Sequence, residues 1–301
     1  MSVLYGITVF VVLCASISIM YIVNTLKYND DIEGFADVTS QTQRITSIKD
    51  IIIDPVDAEE VADTFYNSLN KRNMDIRKKT VKYYDVEDLT PSDREIIRDA
   101  YQYARTTFPL PLEGQFQVVI TGNKTEGGFP HTHGNLVYIP LQKVKDNTEH
   151  TLRNTFLHEM SHIHQRQKRY LWEKLYNNLG FQRLPIDWPV PEDIHNKILA
   201  NPDTWEHGKW EYKGQHAIML INDDAKSIRD HTYQIIPVRD GVNMSVNQLK
   251  KSFGKITKQI DHPAEVTATA LQKYIDTGDT GDLNVTSTIR CWLGECLAKQ
   301  D

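Results

Sequence analysis

Cysteine is scarce in this sequence. Cys14, Cys291 and Cys296 are the three in 301 residues, so the fold is not read as a disulfide framework. Cys14 sits in an apolar run, as a small hydrophobe would, and Cys291 and Cys296 would point apart on a helix, so pairing them needs an irregular turn. No C-x-x-C pair marks an accessory metal module. Positive charge is also short: 34 Lys and Arg face 40 Asp and Glu, for a net charge of −6 and a pI near 6.0. That balance argues against a nucleic-acid binder working by phosphate neutralisation, which needs a concentrated basic face. The one basic run, residues 71–82, carries Asp75 and is followed by Asp85, Glu87 and Asp88, so it reads as a solvated face. Low-complexity tracts, coiled-coil bias and internal repeats of 20 to 50 residues are missing too, and disorder is not expected outside short connectors.

Charge of either sign is absent from residues 3–23, where Ile, Val, Leu, Phe, Met, Cys and Tyr dominate. About 20 such residues match a hydrocarbon core of roughly 30 Å. The stretch is too long for a signal-peptide core, lacks a basic start, and is followed by no A-x-A-like site. Residues 1–26 are therefore expected to be a single-pass membrane anchor. Lys27 and the acids Asp30, Asp31 and Glu33 follow it and leave the side of the membrane open. Residues 27–50 read as a polar stalk. Three N-x-S/T sequons, at Asn123, Asn243 and Asn284, suit a lumenal domain but are close to chance in number.

From residue 51 to 299 the patterns are those of an α+β domain. Asp57 and Glu60 suggest a helix start, with Val61, Phe65 and Leu69 on one face. Thr90 and Pro91 signal a second helix carrying Ile97, Tyr101 and Ala104. Strands are expected around Phe116 to Ile120 and over residues 136–141, with a turn-rich break from Gly122 to Gly128 between them. The strongest helix follows caps at Asp146 to Thr148 and runs towards Gly180, with Leu152, Phe156, Met160 and Ile163 at helical spacing. A Pro- and Trp-bearing connection (185–191) precedes strand-like residues 210–221 and 232–238. A last helix begins at Asp261-His262-Pro263 and ends before Gly278. Two lobes are expected, 51–181 and 182–299.

Within the strongest helix lies His158-Glu159-Met160-Ser161-His162. Four helical residues turn about 400°, which stacks the two imidazoles on one face, near enough to share a metal. Glu159 is rotated about 100° from His158, so it can stand beside the ion and accept a proton from water. A chain of this length shows H-E-x-x-H by chance roughly once in a hundred sequences. The bland alternative is two solvated histidines on an amphipathic helix. Against it, the apolar stripe lies far round the wheel from both histidines, leaving their face to line a cleft.

A catalytic zinc site takes three protein ligands and leaves the fourth place to water. Glu265, in the first turn of the helix started by Pro263, is the leading third ligand, though an acid there is also ordinary capping chemistry. His262 comes next, with His216, His231, Asp223 and Asp224 behind it.

With a distant Glu265, His158 to His162 resembles the gluzincin group of zincin metallopeptidases. The wider strings Phe129-Pro130-His131-Thr132-His133-Gly134, Leu157 to Gln165 and His262-Pro263-Ala264-Glu265 are similar to metallopeptidase sequences of large DNA viruses. The resemblance implies a zincin-like, two-lobed fold with the active-site helix behind a small sheet. It also implies zinc on His158, His162 and Glu265, and Glu159 as general base. The chain departs from thermolysin-like enzymes in the gap of about a hundred residues between His162 and Glu265, and the metzincin extension after His162 is absent. In such folds the strand after His131 and His133 would be the edge along which a peptide substrate pairs; the two histidines read first as loop residues with structural hydrogen bonds and second as groups that hold substrate, and Tyr233, His231 or Tyr212 could stabilise an oxyanion. His164 and Gln165 could bond to the metal ligands or equally belong to a solvated face.

The leading expectation is thus a membrane-anchored zinc metallopeptidase acting on a protein or peptide, with no nucleic-acid partner. Its competitor is a non-catalytic membrane-anchored structural or interaction protein, such as a virion component, that keeps the fold. A DNA-dependent nuclear zincin fits poorly with the acidic balance and the apolar N-terminus.

Overall fold

The computed structural model describes residues 47–77, 81–146, 148–239 and 244–298. The expected anchor (1–26), the stalk up to residue 46, and the sequon residue Asn243 lie outside the described residues. Among the described residues, no helix is long and apolar enough to cross a membrane.

The chain is a mixed α and β structure. After a 3-10 turn at Ile48–Asp50 come α1 (Pro55–Ser68), α2 (Lys71–Arg77), β1 (Tyr83–Tyr84), α3 (Pro91–Thr107), β2 (Gln117–Thr121), β3 (His131–His133) and β4 (Leu136–Pro140). Next are α4 (Leu141–Asp146), α5 (Glu149–Gln167), α6 (Arg169–Asn178), β5 (Phe181–Arg183), α7 (Glu192–His195), β6 (Trp210–Tyr212), β7 (Gln215–Ile221) and β8 (His231–Pro237). Three helices close the described chain: α8 (Val246–Phe253), α9 (Pro263–Thr277) and α10 (Leu283–Leu297).

Local chemistry sets the helix ends. Asp54 caps α1 through the Val56 N–H with Pro55 at the first position, so the helix starts before the expected Asp57. Thr90 and Asp93 form a reciprocal capping box at the head of α3. Thr148 accepts from the Thr151 N–H to start α5. That helix does not run unbroken to Gly180: Lys168, at φ −126° and ψ 47°, bends the chain, and α6 carries on to Asn178. α9 ends at left-handed Gly278 as expected, but it is not the last helix. Asp282 accepts from the Asn284 and Val285 N–H groups and starts α10.

Two four-stranded sheets result. The first has the order β1-β2-β4-β3, with β2 and β4 parallel and both edges antiparallel. The second is the antiparallel run β5-β6-β7-β8. One hydrophobic cluster serves both. Val118 and Ile139 of the first sheet share it with Phe181 and Trp210 of the second, and with Tyr101, Phe156, Leu271 and Trp292 from the helices. Helix α5 packs between α3 and α9, and that arrangement brings its histidines to the head of α9.

Candidate metal centre

Helix α5 carries His158 and His162 one turn apart, and their Nε2 atoms lie 3.0 Å from each other. The chain reaches the same point again a hundred residues later. His262 caps α9 by accepting from the Ala264 N–H at 3.0 Å, Pro263 fixes the first turn, and Glu265 follows. Its Oε2 stands 3.5 Å from His158 Nε2 and 3.6 Å from His162 Nε2. These three donor atoms form a group that could hold a metal ion. They are not solvated side chains on a helix face: His162 is fully buried and Glu265 nearly so, while the His158 side chain keeps 20% of its exposure. His158 opens on a cleft of about 600 Å³, also lined by Glu159, His131, Asp203, His231 and Tyr233.

The orientation of His162 is set by Gln165. The Gln165 Nε2 donates to the Ala264 carbonyl at 3.0 Å and to Thr267 Oγ1 at 3.2 Å. Its Oε1 therefore faces His162 Nδ1, 2.8 Å away, and accepts that proton. A neutral ring protonated at Nδ1 carries its lone pair on Nε2, towards His158 and Glu265. Burial works against protonating His162, but the charges of Asp203, Glu265 and Glu159 outweigh it and raise the imidazole to about 9. A cation placed among these donors takes over the role of that proton.

Glu265 and Glu159 are both buried acids with opposite environments. Burial alone would raise Glu265, yet His162 and His158 hold it well below the usual carboxylate range. Glu159 is pushed well above that range, by burial first and by the charge of Asp203 second, and its Oε2 has no hydrogen-bond partner. Glu159 is thus a buried acid whose protonated form is favoured, on the cleft wall beside a group that could hold a metal ion.

Comparison with protein-family models, with curated proteins and with solved structures finds no match.

The other residues singled out in the sequence fall on both sides of the boundary. His231 and Tyr233 line the cleft. Tyr212 packs on Phe181 and Phe253 instead. His262 is a buried cap, lowered to about 3 chiefly by burial. His216 bonds to the Trp210 carbonyl, Asp223 is an exposed partner of Arg72 and Lys197, and Asp224 is exposed. His164 belongs to the core: its Nδ1 accepts from Trp172 Nε1 at 2.7 Å, and burial lowers it to about 4. His131 and His133 do not precede the edge strand; with Thr132 they form it, because Gly134, at φ 53°, turns the chain straight into β4. Nor is the whole basic run a solvated face. Arg77 is buried against Glu126, with Nε 2.9 Å from Oε1.

Sequence reasoning missed Asn201 and Asp203. Asn201 Nδ2 donates to Glu265 Oε1 at 2.7 Å. Asp203 Oδ1 accepts from the Thr132 N–H at 2.8 Å and its hydroxyl at 2.6 Å, which takes the outward N–H of the edge strand. Asp203 also joins Glu159 and His162 in a second group of donor atoms, again within 4.8 Å of one another. The local string Asn201-Pro202-Asp203 reads only as a turn, so no signal in it points to the centre.

Proposed function

We propose that this chain is a zinc metallopeptidase of gluzincin type, with a zincin-like two-lobed fold, tethered to a membrane by its apolar N-terminus. The observation that carries the reading is the convergence of His158 Nε2, His162 Nε2 and Glu265 Oε2 at 3.0 to 3.6 Å. Donors bonded at about 2.0 to 2.1 Å to a tetrahedral ion stand about 3.3 Å apart, and two imidazoles with one carboxylate are a donor set that suits zinc. The competing group of Glu159, His162 and Asp203 has two carboxylates, and Asp203 Oδ1 is already taken by Thr132. It is the weaker zinc site.

When bound, zinc acidifies water and polarises a carbonyl. The rest of the chemistry falls to the chain. Glu159 takes the proton of the attacking water and hands it to the leaving amine; burial holds its carboxyl above the usual range, and a bound cation would favour the ionised form that the base needs. His231 and Tyr233 line the cleft wall, and in this reading one of them donates to the oxyanion that forms on the carbonyl. The cleft, bordered by Phe129 and Pro130 ahead of the edge strand and by His131 at its start, has room for an extended peptide. The acidic balance speaks against nucleic acid as a partner.

The test is metal content and turnover together. Protein purified without chelators is expected to carry about one zinc per chain, and Glu159→Gln to keep that zinc while losing peptide hydrolysis by about a hundredfold or more. Folded protein that takes up no zinc would favour the non-catalytic structural role; retained turnover in Glu159→Gln would remove this residue from the mechanism.

A further inference from the structure

We propose that Asn201 is a positioning residue that makes Glu265 bind the metal through one oxygen only, which keeps a coordination place open for water. This rests on the metal reading above and adds to it. The two oxygens of Glu265 have different partners: Oε2 faces both histidines, and Oε1 accepts from Asn201 Nδ2 at 2.7 Å. A carboxylate with two free oxygens can close on an ion with both. Turning Oε1 inward would cost a nearly fully buried carboxylate a charge-assisted hydrogen bond.

The amide of Asn201 cannot simply flip to the opposite orientation. Its Oδ1 accepts from the Asp203 N–H at 3.0 Å, which leaves Nδ2 for Glu265. The segment that bears it is pinned on both sides. Upstream, Asn73 Oδ1 accepts from the Ala200 N–H and Arg77 Nη2 donates to the Ala200 carbonyl. Downstream, Asp203 is tied to Thr132 of the edge strand. Residues 200–203 thus form a strap from α2 to β3, and Asn201 is the side chain that it extends to the third ligand.

The experiment begins with wild-type protein loaded with zinc, or with cobalt as a spectroscopic substitute. X-ray absorption or a zinc-loaded crystal structure is expected to show Glu265 ligating through a single oxygen, with the cobalt form giving the intense visible bands of a four-coordinate ion. Both Glu265 oxygens at bonding distance would overturn the proposal outright. Asn201→Ala is expected to lower zinc affinity by about 10- to 100-fold in chelator competition, and to weaken the cobalt bands as a second oxygen enters. Asn201→Ser retains an acceptor for the Asp203 N–H but ends short of Glu265, so it should behave alike if the alanine variant fails to fold. A variant with an unchanged metal-free melting curve, wild-type zinc affinity and a wild-type cobalt spectrum also overturns the proposal. Wild-type protein that binds neither metal defeats the metallopeptidase reading itself, which separates the two failures.

Discussion

Gln165 governs which nitrogen of His162 is offered, through an amide whose other end is tied to α9 at Ala264 and Thr267. Gln165→Leu keeps most of the volume and removes the acceptor. Zinc affinity is expected to fall by about 10- to 100-fold, measured by competition with a chelator; unchanged affinity would show that packing alone orients the ring. The sequence showed His158, Glu159 and His162 because helical periodicity fixes how side chains four apart meet. It also pointed to Glu265, because proline and a capping residue mark the helix start. Asn201 and Asp203 were not visible in it. They act through partners 64 and 71 residues away, and no local periodicity encodes contacts across that distance.

Among the elements, the strap and its anchors turn a buried ion pair into part of the centre's support. The turn before β3 takes left-handed φ at Glu126, Gly127 and Gly128, and a Cβ on Gly128 would stand 2.5 Å from the Asn123 carbonyl oxygen, so glycine is required there. The turn directs Glu126 inward to Arg77, which also donates to Asn73 and to the Ala200 carbonyl. Arg77→Met leaves a buried carboxylate without its cation and is expected to destabilise the fold by about 3 to 5 kcal/mol, read from denaturant midpoints. Adding Glu126→Gln should recover part of that loss; a double variant as unstable as the single one would mean that the arginine acts by packing and not by charge. The long helices were legible from caps and stripes, as at Thr90 and Thr148. The sheet order was not. β1 and β3 have two and three residues, too short for alternation to register, and the bend at Lys168 carries no proline or glycine to announce it.

Across the whole molecule six buried histidines have a shifted affinity for the proton: His162 gathers charge, and five others exclude it. His164, His207 and His262 are lowered to about 4, 2 and 3, and His133 and His216 are also lowered, each chiefly by burial. A folded-state value below the unfolded value near 6.5 means that the unfolded chain binds protons that the fold refuses. The stability these groups allow is therefore complete above about pH 6.5 and is lost as the pH falls towards their folded values. Each contributes at most about 1.4 kcal/mol per pH unit. Burial raises Asp261 to about 7, helped by Glu265, so Asp261 pulls the other way between roughly pH 4 and 7; Glu159, which burial also raises well above the usual carboxylate range, pulls in the same direction as Asp261. His162, raised to about 9 in metal-free protein, stabilises fully below 6.5 and loses that contribution as the pH rises through 9. Five groups against two decide the acid side: metal-free protein is expected to lose stability steadily from pH 6.5 to 5, measured by denaturant unfolding at each pH. His207→Leu removes one proton-refusing ring whose Nε2 has no partner, and should make that slope shallower by up to one proton. A slope that stays the same in the variant, or a wild-type protein that gains stability on acidification, would show that these rings are hydrated in solution and that the interior is wetter than the packing implies.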